Sequence, residues 1–137
     1  MTPLELVDLA IAARERAYAP YSHFSVGAAL LTKDGTVYQG CNIENSSYGA
    51  TNCAERTAFF KAVYDGVREF EAIAIVGGAA GEPIHDLCAP CGICRQVMRE
   101  FCDSDFKIYL SKGDGTYFAA TLEEMLAFSF TSSDLQK

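Results

Sequence analysis

Three cysteines and a glutamate stand where two predicted helices begin. Cys91 and Cys94 are three residues apart at the start of one helix, so both sulfurs lie on one face and can reach a single metal ion. Cys53 lies in the first turn of the other helix, where the helix dipole favours the thiolate that zinc requires. Three thiolate ligands leave zinc an open position for water, which is the catalytic arrangement. Glu55 lies about 200° around the helix from Cys53, so it suits a proton shuttle better than a ligand.

Other interpretations of these residues stay open at this point. A CxxC pair also occurs in thioredoxin-like redox sites. Cys88, Cys91 and Cys94 reproduce the first three positions of a ferredoxin-like C-x2-C-x2-C run, but no cysteine completes it. Cys88 as a fourth ligand would close the site and give a structural zinc module. Glu55 alone would be read as a solvated acid at a helix N-terminus.

Composition limits the class of protein. The 137 residues suit a single domain, 1–137, and half of them are apolar, which excludes disorder. No apolar run approaches the roughly 18 residues that cross a bilayer, and the first ten residues carry acids where a signal peptide carries positive charge. The net charge of -7 gives no cationic groove for a polyanion. We therefore expect a cytoplasmic protein with no nucleic acid polymer and no membrane as partner.

The elements that must position these residues begin with a capped helix. Thr2 opens a capping box with Pro3 at the first helical position, and the apolar spacing predicts a helix to about Tyr18. Two strand-like runs flank Asp34-Gly35, which predicts a tight hairpin. A polar loop then leads to the Cys53 helix, which is expected to end near Gly66.

The second half alternates strands and helices. "EAIAIVG" predicts a buried strand, and Pro90 opens a helix toward Phe101. "FKIYLS" and "TYFAA" predict two further strands, and Thr121 with Glu124 forms a capping box that opens a last short helix. The remaining "FSFTSSDLQK" is predicted to carry no element. The order αββαβαββα indicates an α/β protein with one mixed sheet covered by helices.

Two motifs now identify a family. Cys53-Ala54-Glu55 and Pro90-Cys91-Gly92-Ile93-Cys94 resemble the [H/C]-A-E and P-C-x-x-C signature of zinc-dependent nucleoside and nucleobase deaminases. "YAPYSHFSVGAAL", "GCNIENSSYG", "CAERTAFFKAV" and "PCGICRQVM" are similar to the small cytidine deaminases over nearly the whole chain. The resemblance implies a three-layer α/β/α cytidine deaminase-like fold with a five-stranded mixed sheet. It also implies a homotetramer with sites at subunit boundaries.

The same resemblance implies an activity and roles for the metal residues. The activity is hydrolytic deamination of cytidine and 2′-deoxycytidine with release of ammonia, as used in pyrimidine salvage. Cys53, Cys91 and Cys94 would hold one Zn2+ per chain, and Glu55 would act as general acid and base. Arg56 matches an arginine that hydrogen-bonds the ligand thiolates, and such a cation offsets the negative charge of three thiolates on zinc.

The resemblance also assigns substrate contacts. Phe24 would pack on the pyrimidine, Asn42 and Glu44 would bind the ribose hydroxyls, and the Ala54 N–H would meet the pyrimidine O2. Tyr48 would lie near a subunit boundary. Without the resemblance, Phe24, Asn42 and Glu44 would be read as a core phenylalanine, a turn asparagine and a surface acid.

Two departures from the family pattern are expected to matter. The loop before Pro90 is longer and adds Cys88, and "AFSF" replaces smaller residues near the C-terminus. Phe130 best matches the residue that reaches a neighbouring subunit's site, with Phe128 as the alternative. The rival activities are deamination of a cytosine-nucleoside antibiotic such as blasticidin S and, outside enzymes, a structural zinc module. Deamination of polynucleotides is disfavoured because the acidic chain lacks a cationic track.

Overall fold

The computed structural model of the chain describes residues 1–136, and its first element is the capped helix that the sequence predicts. The Thr2 hydroxyl accepts the Glu5 N–H at 3.2 Å, and the Glu5 carboxylate accepts the Thr2 N–H at 3.3 Å. The helix ends at Arg14, four residues before the predicted end at Tyr18, because the chain turns to pair with another segment. The Tyr18 N–H donates to the Asn42 carbonyl at 3.0 Å. The helices are α1 (Pro3–Arg14), α2 (Ala54–Tyr64), α3 (Gly92–Phe101), α4 (Leu122–Met125) and α5 (Ser132–Leu135).

Five strands form one mixed sheet in the order β2-β1-β3-β4-β5. The β3 and β4 strands are parallel, and all other neighbouring pairs are antiparallel. The predicted hairpin joins β1 and β2, and Gly35 adopts a φ of +95° in its turn, which a glycine allows without strain. The strands are β1 (Phe24–Thr32), β2 (Val37–Cys41), β3 (Phe70–Ala79), β4 (Lys107–Leu110) and β5 (Phe118–Thr121).

Helices cover both faces of this sheet, as the α/β/α prediction requires. Side chains alternate along the two central strands because successive residues of a strand point to opposite faces. One set packs with α2 and α3, and it includes Ala28, Leu30, Ile73 and Ile75. The other set packs with α1, and it includes Ala29, Ala72, Ala74 and Val76.

A glycine on β2 fixes the position of α2 on the sheet. A Cβ atom at Gly40 would lie 2.3 Å from the Ala54 carbonyl oxygen and 2.6 Å from the Ala58 nitrogen. No side chain fits there, so the first turn of α2 lies directly against the strand. This close approach holds Cys53 and Glu55 at the edge of the sheet core.

Two short elements were not predicted. Tyr48–Ala50 forms a single 3-10 turn in the polar loop before α2, and α5 occupies part of the segment predicted to carry no element. The Thr131 N–H donates to the Asp134 carboxylate at 2.8 Å, so a capping interaction supports α5 without an apolar repeat. Among residues 1–136, no helix combines the length and apolar character needed to span a membrane.

Candidate active site

The beginnings of α2 and α3 bring three cysteine sulfurs together. Cys53 is the N-cap residue of α2 and Cys91 is the N-cap residue of α3. The Cys53 Sγ lies 3.9 Å from the Cys91 Sγ, which lies 3.5 Å from the Cys94 Sγ. All three sulfurs lie within 4.8 Å of one another. Both helix N-termini therefore direct their positive ends at one cluster of potential thiolates.

The sulfur geometry fits zinc. A tetrahedral Zn2+ with Zn–S bonds of about 2.3 Å places its sulfur ligands about 3.8 Å apart. The two measured separations lie on either side of that value, so small side-chain adjustments suffice to bind the ion. Within residues 1–136, Cys53, Cys91 and Cys94 are the one group of this kind, and Cys88 is not part of it. The described residues therefore offer three sulfur atoms to one metal ion, and the Cys88 sulfur does not join them as a fourth.

Arg56 supplies positive charge to this cluster. Its Nη2 donates to the Cys53 Sγ at 3.2 Å. A hydrogen bond from Cys94, together with the neighbouring Arg56 guanidinium, lowers the pKa of the Cys53 thiol to about 5. The pKa of Cys94 is raised in turn by its hydrogen bond to Cys53 and by burial. The lowered pKa of Cys53 favours the thiolate form that metal binding requires.

Glu55 is buried beside the cluster. Its side chain is 4% exposed and is not among the sulfur ligands, in agreement with the angle expected around the helix. Burial, followed by the negative charge of Cys53, raises the pKa of its carboxyl to about 7. A carboxyl group with this pKa can both accept and release a proton near neutral pH.

An open pocket of about 320 Å3 leads to Glu55 and the sulfur cluster. It is large enough for a small ligand and collects side chains from β1, the loop after β2, the start of α2 and the loop before α3. Phe24, Asn42, Glu44 and Ala54, which the sequence resemblance assigned to substrate binding, all line it. The complete lining is Ser22, Phe24, Val26, Asn42, Glu44, Thr51, Asn52, Cys53, Ala54, Glu55, Cys88, Ala89 and Cys91.

Comparison with known proteins agrees with this geometry. Residues 2–110 match the family model described as the cytidine and deoxycytidylate deaminase zinc-binding region. The chain belongs to this family. It is 55% identical over 123 residues to a cytidine deaminase of Sporosarcina psychrophila, covering 90% of this chain and 87% of the relative. It is 53% identical over 130 residues to one from Halalkalibacterium halodurans, covering 95% of each chain.

A solved structure of the family confirms the fold. The crystal structure of cytidine deaminase from Burkholderia pseudomallei is 49% identical, with a TM-score of 0.87. The similarity covers 95% of this chain and 100% of that one. The predicted cytidine deaminase-like fold with a five-stranded mixed sheet is therefore confirmed, as is the family resemblance drawn from the two cysteine motifs.

In this deaminase-family chain, the remaining predicted contacts lie outside the pocket. Tyr48 is 75% exposed and lines a neighbouring cleft, where its ring packs edge-on against Tyr21. Phe128 is fully exposed and adopts a φ of +53°, which is uncommon for a bulky residue. Phe130 is also exposed, and its carbonyl accepts a hydrogen bond from Gln96 at 2.9 Å. None of these three lines the pocket formed by its own chain.

Cys88 lies in the wall of the pocket, not in the sulfur cluster. A Cβ atom at Gly77 of β3 would lie 2.7 Å from the Cys88 Sγ, so the glycine makes room for this thiol. Burial, then the charges of Glu55 and Cys53, raise the pKa of Cys88 to about 11. Cys88 is therefore a neutral thiol facing the ligand space.

Sequence reasoning missed three polar residues that line the pocket, Ser22, Thr51 and Asn52. The Ser22 hydroxyl lines the pocket and hydrogen-bonds Glu44. A single serine in a loop rich in aromatic residues forms no recognisable sequence motif. Only the structure identifies Ser22, because it shows that this loop packs against the segment that carries Glu44.

Proposed function

We propose that this chain is a zinc-dependent hydrolase that deaminates cytidine and 2′-deoxycytidine to uridine and 2′-deoxyuridine, with release of ammonia. The observation that carries the proposal is the buried Glu55 carboxyl beside three clustered cysteine sulfurs at the base of a nucleoside-sized pocket. The family membership and the relatives named cytidine deaminase support the same chemistry.

Cys53, Cys91 and Cys94 would hold the metal. Zinc with three protein ligands supplies a nucleophile at neutral pH, because it lowers the pKa of a water in its open position. Arg56 would limit the negative charge that three thiolates place on the site, since it already donates to the Cys53 sulfur.

Glu55 would move the protons. It takes one proton from the attacking water and delivers it to ring N3, while the water oxygen bonds to C4. It then takes the second proton from the new C4 hydroxyl and delivers it to the exocyclic amine, so that the C4=O bond forms, the C4–N bond breaks and ammonia leaves. Water and cytidine thus give uridine and ammonia with no other reactant. Burial raises the pKa of Glu55 toward neutral pH, which suits a group that both accepts and releases protons.

The other pocket residues would hold the nucleoside. Phe24 would pack on the pyrimidine, and Asn42 with Glu44 would bind the ribose hydroxyls. The Ala54 N–H would donate to pyrimidine O2, which fits the beginning of α2, where no side chain caps the helix. Each of these groups lines the pocket.

We further propose a homotetramer that works in cytoplasmic pyrimidine salvage. The exposed aromatic side chains of Tyr48, Phe128 and Phe130 support a subunit boundary near the site. A site made of three reduced cysteines suits a reducing compartment.

The test is ammonia release from zinc-quantified protein given cytidine, with Glu55→Gln alongside. We expect Glu55→Gln to keep about one zinc per chain and to lose roughly 10²- to 10⁴-fold in kcat, because proton transfer by a positioned carboxylate contributes that factor. Glu123→Gln makes the same chemical change at an exposed position of α4 and serves as the matched control.

Two results would contradict the proposal. A zinc-loaded Glu55→Gln that keeps wild-type turnover would remove Glu55 from the mechanism. A wild-type protein that binds zinc and releases no ammonia from cytidine would favour another amino-pyrimidine substrate or a structural zinc site.

A further inference from the structure

The Ser22 hydroxyl connects two groups that the proposed function uses. It donates to the Oε2 of Glu44, and it accepts the N–H of Phe24 at 3.1 Å. The Oε1 of Glu44 accepts the N–H groups of Tyr21 and Ser22, each at 3.0 Å. One short loop therefore surrounds the carboxylate with three donors.

These hydrogen bonds leave Glu44 with limited freedom. They lower the pKa of its carboxyl, with the Ser22 hydroxyl as the largest cause, so the group is ionised and only accepts hydrogen bonds. A carboxylate has about four acceptor positions, and three are occupied. The position that remains can accept one hydroxyl from a ligand, and Ser22 fixes the direction in which it points.

Phe24 is held from both sides by the same network. Its N–H donates to the Ser22 hydroxyl, and its carbonyl accepts from the Asn42 Nδ2 at 2.8 Å. The Asn42 Oδ1 also accepts the Val26 N–H at 2.9 Å. The residue expected to pack on the base is thus tied to the two residues expected to bind the sugar.

Ser22 itself has no proton for a ligand. A serine hydroxyl has one O–H donor, and Glu44 already accepts it. The Ser22 O–H therefore orients Glu44 and does not donate to a ligand.

We propose that Ser22 is a positioning residue that aims the Glu44 carboxylate at a ribose hydroxyl and couples it to Phe24. This inference rests on the proposed function, because it takes a nucleoside as the ligand. It predicts that the effect of Ser22 on binding depends on whether the ligand has the hydroxyls that Glu44 would accept.

The experiment measures kcat and KM for cytidine, and the inhibition constant of 2′,3′-dideoxycytidine as a competing ligand that lacks the 2′ and 3′ hydroxyls. For Ser22→Ala we expect kcat/KM for cytidine to fall about tenfold, mostly through KM, because a hydrogen bond to a charged group is weakened. We expect the dideoxycytidine constant to change by less than about twofold. Ser22→Thr keeps the hydroxyl, and we expect it to restore most of the loss.

Thr116→Ala is the matched control. It removes a hydroxyl that donates to the Asp114 carboxylate in the turn between β4 and β5, and neither residue lines the pocket. We expect wild-type kinetics from it. In a Glu44→Ala background, Ser22→Ala should have little further effect, because both changes interrupt one interaction.

Several outcomes would overturn the inference alone, while the wild type still deaminates cytidine. These are unchanged kinetics for Ser22→Ala, equal losses for cytidine and dideoxycytidine, no recovery in Ser22→Thr, or additive losses with Glu44→Ala. A wild type that releases no ammonia would instead overturn the proposed function, and this inference with it.

Discussion

The two sides of the pocket are built in different ways. The metal side, defined as Cys53, Glu55, Cys91 and Cys94, stands at the beginnings of two helices. Cys94 is 1% exposed and Glu55 is 4% exposed. The sugar side, named for the proposed contacts of Asn42 and Glu44 and defined as these two residues with Ser22 and Phe24, is formed by the strand end and loops around β1 and β2. Only Asn42 among the four is buried.

The difference determines how each side responds to change. On the metal side, Cys94 and Glu55 are buried in a low-dielectric environment, so a lost thiol or carboxyl there has no replacement from water. On the sugar side, water can reach the groups and partly replace a lost hydrogen bond. We therefore expect the largest effects from the metal side, smaller effects from the sugar side, and the smallest from the pocket wall.

The strongest test of the metal side is Cys94→Ser. A serine hydroxyl is a poor zinc ligand beside a thiolate, and Cys94 is the buried member of the cluster. We expect zinc content to fall from about one ion per chain to a small fraction of that, and activity to fall at least about 10³-fold. Metal analysis after dialysis, with cytidine turnover on the same sample, measures both.

Cys88→Ser is the matched control for zinc binding. It makes the same substitution in the same pocket, at a cysteine outside the sulfur cluster. We expect it to keep its zinc. If Cys88→Ser lost its zinc as completely as Cys94→Ser, the site would be closed by four thiolates. It would then lack the open position that the proposed hydrolysis requires.

The sugar side is tested by Glu44→Ala and Glu44→Gln. Glu44→Ala removes the acceptor of three hydrogen bonds, and we expect kcat/KM for cytidine to fall about 10- to 100-fold. Glu44→Gln keeps the shape but loses the charge, so its loss should be smaller. Zinc content should stay at the wild-type level in both. Unchanged cytidine kinetics in Glu44→Ala would contradict the contact with the sugar.

The metal side was also the more predictable one from the sequence. Its residues occur in two short motifs, and local rules predict that Cys53 and Cys91 lie where helices begin without knowledge of the fold. The structure refines this, because Cys53 and Cys91 are the N-cap residues and the second helix begins at Gly92, two residues after the predicted start at Pro90. The hairpin at Asp34-Gly35 and the capping boxes at Thr2 and Thr121 are local as well, and all three are present. Tertiary structure was needed only to bring α2 and α3 together.

The sugar side depends on contacts between segments distant in sequence. Ser22 and Glu44 are 22 residues apart and meet because Tyr18 pairs with the chain around Ile43. The same pairing ends α1 at Arg14, which the apolar spacing placed near Tyr18. A helical pattern continues in the sequence beyond the point where another segment competes for the backbone, so the predicted end was wrong.

The smallest expected effect on catalysis comes from the pocket wall, at Cys88. Its pKa of about 11 lies above the ordinary thiol value of 9.0, so few molecules carry the reactive thiolate at pH 7. We expect iodoacetamide to inactivate zinc-loaded protein slowly, with a rate that rises about tenfold per pH unit from pH 7 to 9, because the thiolate fraction rises by that factor below the pKa.

Cys88→Ser reports the background reaction of the metal-side cysteines and should lack this component. Saturating cytidine should protect the wild type, since Cys88 lines the pocket. A fast, pH-independent modification of Cys88 would instead indicate a stabilised thiolate, and Cys88 would then be grouped with the metal-side cysteines.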